Sequence, residues 1–331
     1  MSFANIIRDT FRVMRGYSQY RKTKRTPEFA YYSMRRLFTG TNGRFNNVAA
    51  KLETVFLSPY NFGNEVNGIL GKLSRAEVKQ VSRAVQRDGF YIFPQPLPPE
   101  KVTELVKFSR STPAIPRMMD DKTPLVYDSA APQSPIYDFP AQSLFESPLI
   151  QSLLTDESVL AVAQEYVGPR PVLDLVTMWW STAVCGKVDL SQAAQLYHFD
   201  MDRIKFLKFF IYLTDVDSQN GPHCYVRQSQ RIKPKPVRKD GRIKDEELMA
   251  NYPKEDFVEI TGKAGTILAV DTSGFHKGKP LEQGERLLFQ MEFASSMFGQ
   301  YYPPVKSNEE IEASFGEMAK KYDRTYKEIL Q

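Results

Sequence analysis

From the third residue, apolar side chains recur at the helical period. Phe3, Ile6, Ile7, Phe11 and Met14 share one stripe with Thr10, and Arg8, Arg12 and Arg15 fall on the opposite side. Residues 1–60 read as helical and aromatic-rich, broken at Gly40-Thr41-Asn42-Gly43 and at Pro59. A second helical block follows. Ser74 and Glu77 form a capping-box pattern, Val78, Val81 and Val85 repeat behind it, and Gly89 closes it. Residues 90–93 read as a first strand, stopped by Pro94, Pro96, Pro98 and Pro99, with another helix opening at Pro99. Residues 111–140 are rich in Pro, Asp and Ser and show no period, as expected of a functional segment such as a lid. Helices are expected again at 141–153 and at 155–167, the latter ended by Gly168.

From Pro171 the period shortens. Strand-like segments fall at 172–180, 195–200, 206–216, 224–226, 258–260, 266–270 and 287–293, separated by Gly, Pro and Asn turns. This spacing suggests a β-sandwich or barrel. A polar, charged insert at 230–256 interrupts it, and a capped final helix starts at Ser307 with Glu310. The expected organisation is a basic helical extension over 1–73, a barrel domain over 74–306 and a C-terminal helix over 307–331. The fold class is mainly β with helical elaboration (α+β).

Charge divides the chain the same way. The 331 residues carry a formal net charge of +5, but residues 1–51 hold eleven Lys and Arg against only Asp9 and Glu28. The remainder is mildly acidic, so no nucleic-acid partner is expected. Three readings of the first helix stay open. Its apolar stripe packs on the body, or it lies on an anionic membrane surface, or it is an Arg-rich transit segment. Two cysteines, Cys185 and Cys224, exclude a disulfide framework, zinc fingers and iron–sulfur clusters. They fit a reducing, cytoplasmic setting. No apolar run reaches the ~18 residues of a membrane span.

The chain has three histidines, so imidazole chemistry must use His198, His223 or His276. His198-Phe199-Asp200 sits on a strand-like segment, where residues two apart share a face and can offer one metal an imidazole and a carboxylate. His276 follows at the end of another predicted strand, and Arg286 opens the next one. Two histidines and one carboxylate form the facial triad of non-haem Fe(II) oxygenases, which leaves three coordination positions open. A 2-oxo acid can chelate two of them and O2 can take the last. Arg286 is placed to pair with the far carboxylate of 2-oxoglutarate.

With these residues in view, the sequence resembles the phytanoyl-CoA dioxygenase-like Fe(II)/2-oxoglutarate oxygenases from about Arg75 to about Phe298. The resemblance runs through Asp88-Gly89-Phe90-Tyr91-Ile92, Leu160 with Tyr166-Val167-Gly168, and Tyr197-His198-Phe199-Asp200. It continues in residues 210–216, Asn220-Gly221-Pro222, Ala264-Gly265-Thr266-Ile267, Phe275-His276-Lys277-Gly278 and Arg286. It implies iron ligands at His198, Asp200 and His276, a 2-oxoglutarate anchor at Arg286, and a double-stranded β-helix (jelly-roll, cupin-like) with the metal at its mouth. It also implies hydroxylation of an unactivated C–H bond of a small organic substrate, with release of succinate and CO2. Two alternatives accompany this reading. The same centre could run desaturation, epimerisation or cyclisation. Or the protein is a non-catalytic membrane or partner-binding module that works through its basic helix.

Other candidates carry two readings each. Gln195 approaches the co-substrate or is a plain strand-end amide. His223 contacts substrate or supports the site from behind. Tyr212 shares a face with Phe210 and Thr214, toward substrate or in barrel packing. Arg117 and Lys122 are substrate candidates from their place in 111–140. Lys205 and Lys208 attract an anionic substrate or are solvated strand charges. Trp179 and Trp180 point to opposite faces, so at most one meets the site.

Overall fold

The computed structural model describes residues 1–183 and 195–330. Cys185 lies outside the described residues. The strands are β1 (Glu65–Gly68), β2 (Gly71–Ser74), β3 (Phe90–Ile92), β4 (Ile115–Pro116), β5 (Ile136–Asp138), β6 (Val172–Thr182), β7 (Phe206–Tyr212), β8 (His223–Val226), β9 (Phe257–Ile260), β10 (Ile267–Val270), β11 (His276–Gly278) and β12 (Glu285–Ala294). A seven-stranded antiparallel sheet runs in the order β3-β10-β7-β12-β6-β5-β4 and faces a three-stranded sheet, β11-β8-β9. These two sheets form the double-stranded β-helix.

Alternation along the strands sorts their side chains into two cores. Phe209 and Ile211 of β7, with Leu287, Phe289 and Met291 of β12, point away from the small sheet and join the main core under the helices. Phe210, Tyr212, Leu268 and Leu288 point inward and meet Tyr225 and Ile260 of the small sheet. Other inward positions carry polar residues instead: Lys208 on β7, and Arg286, Gln290 and Glu292 on β12. Each of these is buried.

Helices contribute more residues than strands, and they pack outside. They are α1 (Phe3–Thr23), α2 (Glu28–Thr41), α3 (Arg44–Thr54), α4 (Arg75–Asp88), α5 (Pro99–Ser111), α6 (Ala141–Phe145), α7 (Pro148–Leu154), α8 (Glu157–Val167), α9 (Asp245–Met249), α10 (Glu309–Lys321) and α11 (Asp323–Tyr326). Helix α4 carries the capping box of Ser74 and Glu77 and ends on Gly89 at φ 94, a left-handed turn that favours glycine. Helices α4 and α8 pack together on the main core. Helix α10 is capped by Asn308, whose side chain accepts from Ile311 N, one residue beyond the expected Ser307.

Four expectations need correction. First, of the three readings of α1, packing of its apolar stripe on the body holds only in part: Ile6 meets the core, but Phe3 is 77% exposed and Phe11 67%. The helix docks through Asp9, Val13, Gly16 and Tyr20. Gly16 permits this close approach, since a Cβ there would stand 2.1 Å from Ala30 Cβ. Second, residues 111–140 are not all lid, because β4 and β5 extend the edge of the large sheet. Third, residues 195–200 form no strand, only bridges from Tyr197 to Ile243 and from His198 to His276. Fourth, the insert 230–256 is not merely polar: Val237, Ile243 and Leu248 are buried beside Tyr197, Phe199 and Phe275. Tyr197, Phe199 and Phe275 adjoin His198 and His276 in sequence, and this packing holds the segment without a continuous ladder.

Candidate metal centre

His198, Asp200 and His276 each present a ligand atom, all within 4.8 Å of one another. His198 and His276 are brought together by backbone. His198 N donates to His276 O at 3.0 Å and His276 N donates back to His198 O at 2.9 Å. Asp200 N donates to Thr272 O at 2.8 Å. Their residues therefore sit on one rigid antiparallel crossing, although His276 opens β11 rather than ending the strand before it.

The ring orientations suit a metal. Nδ1 of His198 lies 2.9 Å from Leu196 O, and Nδ1 of His276 lies 3.0 Å from Gly274 O. A carbonyl only accepts, so each Nδ1 carries the proton and each Nε2 is left with a free lone pair. The Nε2 atoms are 3.8 and 3.6 Å from the Asp200 oxygens. Ligands at right angles around one ion stand about 3 Å apart, so small side-chain shifts close this set on a metal. Burial pushes the His198 imidazole below its ordinary pKa and that of His276 well below it. Both are therefore neutral, as ligation requires.

Asp200 is held ionised. Burial would raise its pKa, but the Lys208 ammonium outweighs burial by its charge and its hydrogen bond and holds the carboxyl well below the usual carboxylate range. Lys208 Nζ donates to Asp200 Oδ2 at 2.7 Å and stands 3.3 Å from Glu292. Lys208 and Glu292 face each other across the β7–β12 ladder. Lys208 is thus no solvated strand charge, since only 6% of it is exposed, and it lines the cavity beside the ligand residues. Lys208 and His276 both approach Oδ2 of Asp200, and His198 approaches Oδ1.

A cavity of about 240 Å³ opens beside the three ligand residues. Arg286 reaches into it from β12. Its Nη2 donates to Ser181 Oγ at 3.2 Å, while its buried Nε has no hydrogen-bond partner. Burial lowers its pKa. No described carboxylate pairs with this guanidinium, and a buried cation in that position is strongly destabilising unless an anion joins it. The donor set therefore fits a neutral-imidazole, single-carboxylate metal ion beside a dicarboxylate co-substrate.

The remaining candidates separate. Gln195, Arg117, His223 and Trp179 line the cavity, and Trp180 lies on the opposite, core face. Arg117 is held by Asp138 through bonds of 2.7 and 2.5 Å. His223 stacks on His276 with centroids 5.5 Å apart, its Nε2 is unpartnered, and burial brings its pKa down to about 3. All three histidines of the chain thus share one site. Tyr212 does not line the cavity. Its hydroxyl donates to Ile260 O at 2.7 Å and accepts from His223 N at 3.1 Å, bracing one sheet against the other. Lys122 does not line it either, and bonds to the carbonyl of Arg117. Lys205 lies over the Tyr166 ring at 4.9 Å, in a larger cavity of about 1050 Å³ that borders Asp200 from the side of α3 and α4. Ser181, Thr177 and Gln290 were not singled out by sequence. They line the cavity because they are inward positions of β6 and β12, a signal visible only once the register is known.

The sequence model of the phytanoyl-CoA dioxygenase (PhyH) family matches residues 85–284. The chain belongs to the phytanoyl-CoA dioxygenase family. That span holds His198, Asp200 and His276, and Arg286 lies just beyond it. A search of curated proteins gave no match. Among solved structures, the chain is similar to SnoN, a non-haem α-ketoglutarate-dependent epimerase from nogalamycin biosynthesis. The identity is 17% and the TM-score 0.49, over 66% of this chain and 83% of that one. It is also similar to HygX from Streptomyces hygroscopicus, with nickel and 2-oxoglutarate bound, at 15% identity and TM-score 0.47, over 71% of this chain and 91% of that one. SnoK, an α-ketoglutarate-dependent carbocyclase from nogalamycin biosynthesis, gives 16% and 0.45, over 67% and 83%.

Proposed function

We propose that this member of the family is an Fe(II)- and 2-oxoglutarate-dependent dioxygenase that hydroxylates an unactivated C–H bond of a small organic substrate. The observation that carries this reading is the pairing of a His198–Asp200–His276 set with a buried, anion-free Arg286 in one cavity. His198, Asp200 and His276 would hold the iron and Arg286 the far carboxylate of 2-oxoglutarate. Bound iron with its co-substrate supplies oxidation of the C–H bond, with succinate and CO2 as co-products.

The chain's own residues have four tasks in this scheme. Nδ1–H bonds to Leu196 O and Gly274 O aim both imidazoles. Lys208 donates to Asp200 Oδ2 and holds the carboxylate ionised and in place. Ser181 orients Arg286. Phe210, Leu288 and His223, kept neutral, wall the cavity against water. Residues 74–306 form the catalytic unit in this reading, flanked by the helices of 1–73 and 307–331.

The test is spectroscopic. Purified protein mixed with Fe(II) and 2-oxoglutarate under nitrogen should develop the weak visible charge-transfer band of the chelate, and Asp200→Ala should not. A missing band in the wild type, or an unchanged band in the variant, overturns the assignment. Substrate-stimulated succinate formation, followed across a panel of small molecules, then separates hydroxylation from epimerisation or ring closure by the mass of the product.

A further inference from the structure

Helices α1 and α3 each turn an apolar ridge away from the barrel. On α1 the ridge is Phe3, Ile7, Phe11 and Met14, spaced at one to two turns and 77, 42, 67 and 63% exposed. On α3 and the residue pair after it the ridge is Val48, Leu52, Val55 and Phe56, 59, 67, 61 and 97% exposed. Scattered exposed apolar residues are ordinary, but eight in two ordered ridges are not. The two helices adjoin: Tyr17 of α1 lies in hydrogen-bond reach of Glu53 of α3.

The charges on these helices are sorted as well. Asp9, the single acid of α1, is fully buried and accepts from Arg36 at 3.0 and 2.9 Å. Glu53, the single acid of α3, is turned inward and accepts from Ser295 and Ser296 at 2.6 and 2.7 Å. What remains outside is apolar and cationic. Among the described residues, Arg12, Arg21, Lys22, Arg44 and Lys51 have no ion-pair partner.

From this sorting we infer that the N-terminal helices are a docking surface for an anionic lipid bilayer. The ridge side chains stand exposed, so they suit insertion into a soft headgroup layer to a depth of ~5–10 Å. A second copy of the chain would bring unpaired cations against cations, and a nucleic acid would leave eight apolar side chains unused. Phospholipid with an anionic headgroup satisfies both components at once. Attachment here would be peripheral, since no described helix is long and apolar enough to cross a membrane.

The experiment is flotation of the full-length protein with vesicles of phosphatidylcholine, with and without one-third phosphatidylserine. We expect recovery with the anionic vesicles only, falling about fivefold for each cation removed, as in Arg21→Gln and Lys22→Gln. The variant Phe3→Ser/Phe11→Ser should lose at least about tenfold in partitioning. Its circular dichroism should match the wild type, because both side chains are exposed. Absence of vesicle binding at low salt overturns the inference. So does binding that the Phe3→Ser/Phe11→Ser variant retains in full, which would mean adsorption by charge alone. Self-association that this variant abolishes, seen by sedimentation without lipid, would assign the face to a second copy instead. None of these readouts depends on the metal centre.

Discussion

His198 and His276 form a backbone-paired crossing, with mutual N–H···O bonds of 3.0 and 2.9 Å and ring centroids 4.3 Å apart. The pairing uses main-chain atoms, so either imidazole can be removed without breaking the crossing. His276→Ala should therefore keep its far-ultraviolet circular dichroism while its anaerobic Fe(II) affinity falls by more than about a hundredfold. Calorimetric titration with Fe(II) measures this. Near-normal affinity in the variant would remove His276 from the ligand set.

Lys208 ties Asp200 to Glu292 inside the barrel, with contacts of 2.7 and 3.3 Å. Burial, with Asp174 and Asp202 nearby, raises the pKa of Glu292 well above its ordinary value, and Lys208 is the cation that opposes this rise. Lys208→Met should cost about 3–5 kcal/mol in denaturant unfolding, the usual penalty for breaking a buried pair from one side. Adding Glu292→Gln should recover part of that loss. A double-mutant cycle with no coupling between the two sites would show that the pair contributes nothing.

Much of this centre was legible in the sequence, for a definite reason. His198-Phe199-Asp200, His276 and Arg286 are rare residue types at fixed spacing, and metal chemistry demands those types. The capping box at Ser74 and Glu77 and the Gly89 stop were readable because caps act within one turn. Lys208 was misread because its partner, Glu292, lies on a strand far along the chain and becomes its neighbour only through the β7–β12 register. The face of α1 stayed open for a related reason. The helix docks by Gly16 against Ala30 and by a buried Asp9 that pairs with Arg36, which hydrophobic periodicity does not record. Tyr212 shares its face with Phe210, as alternation says, but alternation does not reveal that its hydroxyl is already taken by Ile260.

Arg286 presents a fork-shaped donor group to the cavity, with Ser181 on one arm and no anion on the rest. Replacement by Lys keeps the charge and loses the fork. Arg286→Lys should raise the KM for 2-oxoglutarate by about tenfold, and Arg286→Ala by about a hundredfold, with smaller changes in kcat. Succinate formation at varied 2-oxoglutarate gives both constants. An unchanged KM in the Ala variant would place the co-substrate carboxylate elsewhere.

Asp9 gives the N-terminal helices a pH-dependent anchor. Its buried carboxylate accepts from Arg36 and Arg8, and the Arg36 hydrogen bond, working against burial, holds its pKa at about 2. The folded value lies below the ordinary aspartate value of about 3.9. The folded state therefore prefers the ionised form, and this stabilisation is complete above pH ~4 and is lost as pH falls through the folded pKa. Arg36 is partly in water, so the contribution is about 1–2 kcal/mol at neutral pH. Asp9→Asn should lower stability by that amount at pH 7, and the difference from wild type should shrink toward zero near pH 2. Urea midpoints of both proteins across this range measure it, with limited proteolysis to report whether α1 is the part released. A gap between the two proteins that stayed constant with pH would mean that the side chain acts by shape and not by charge.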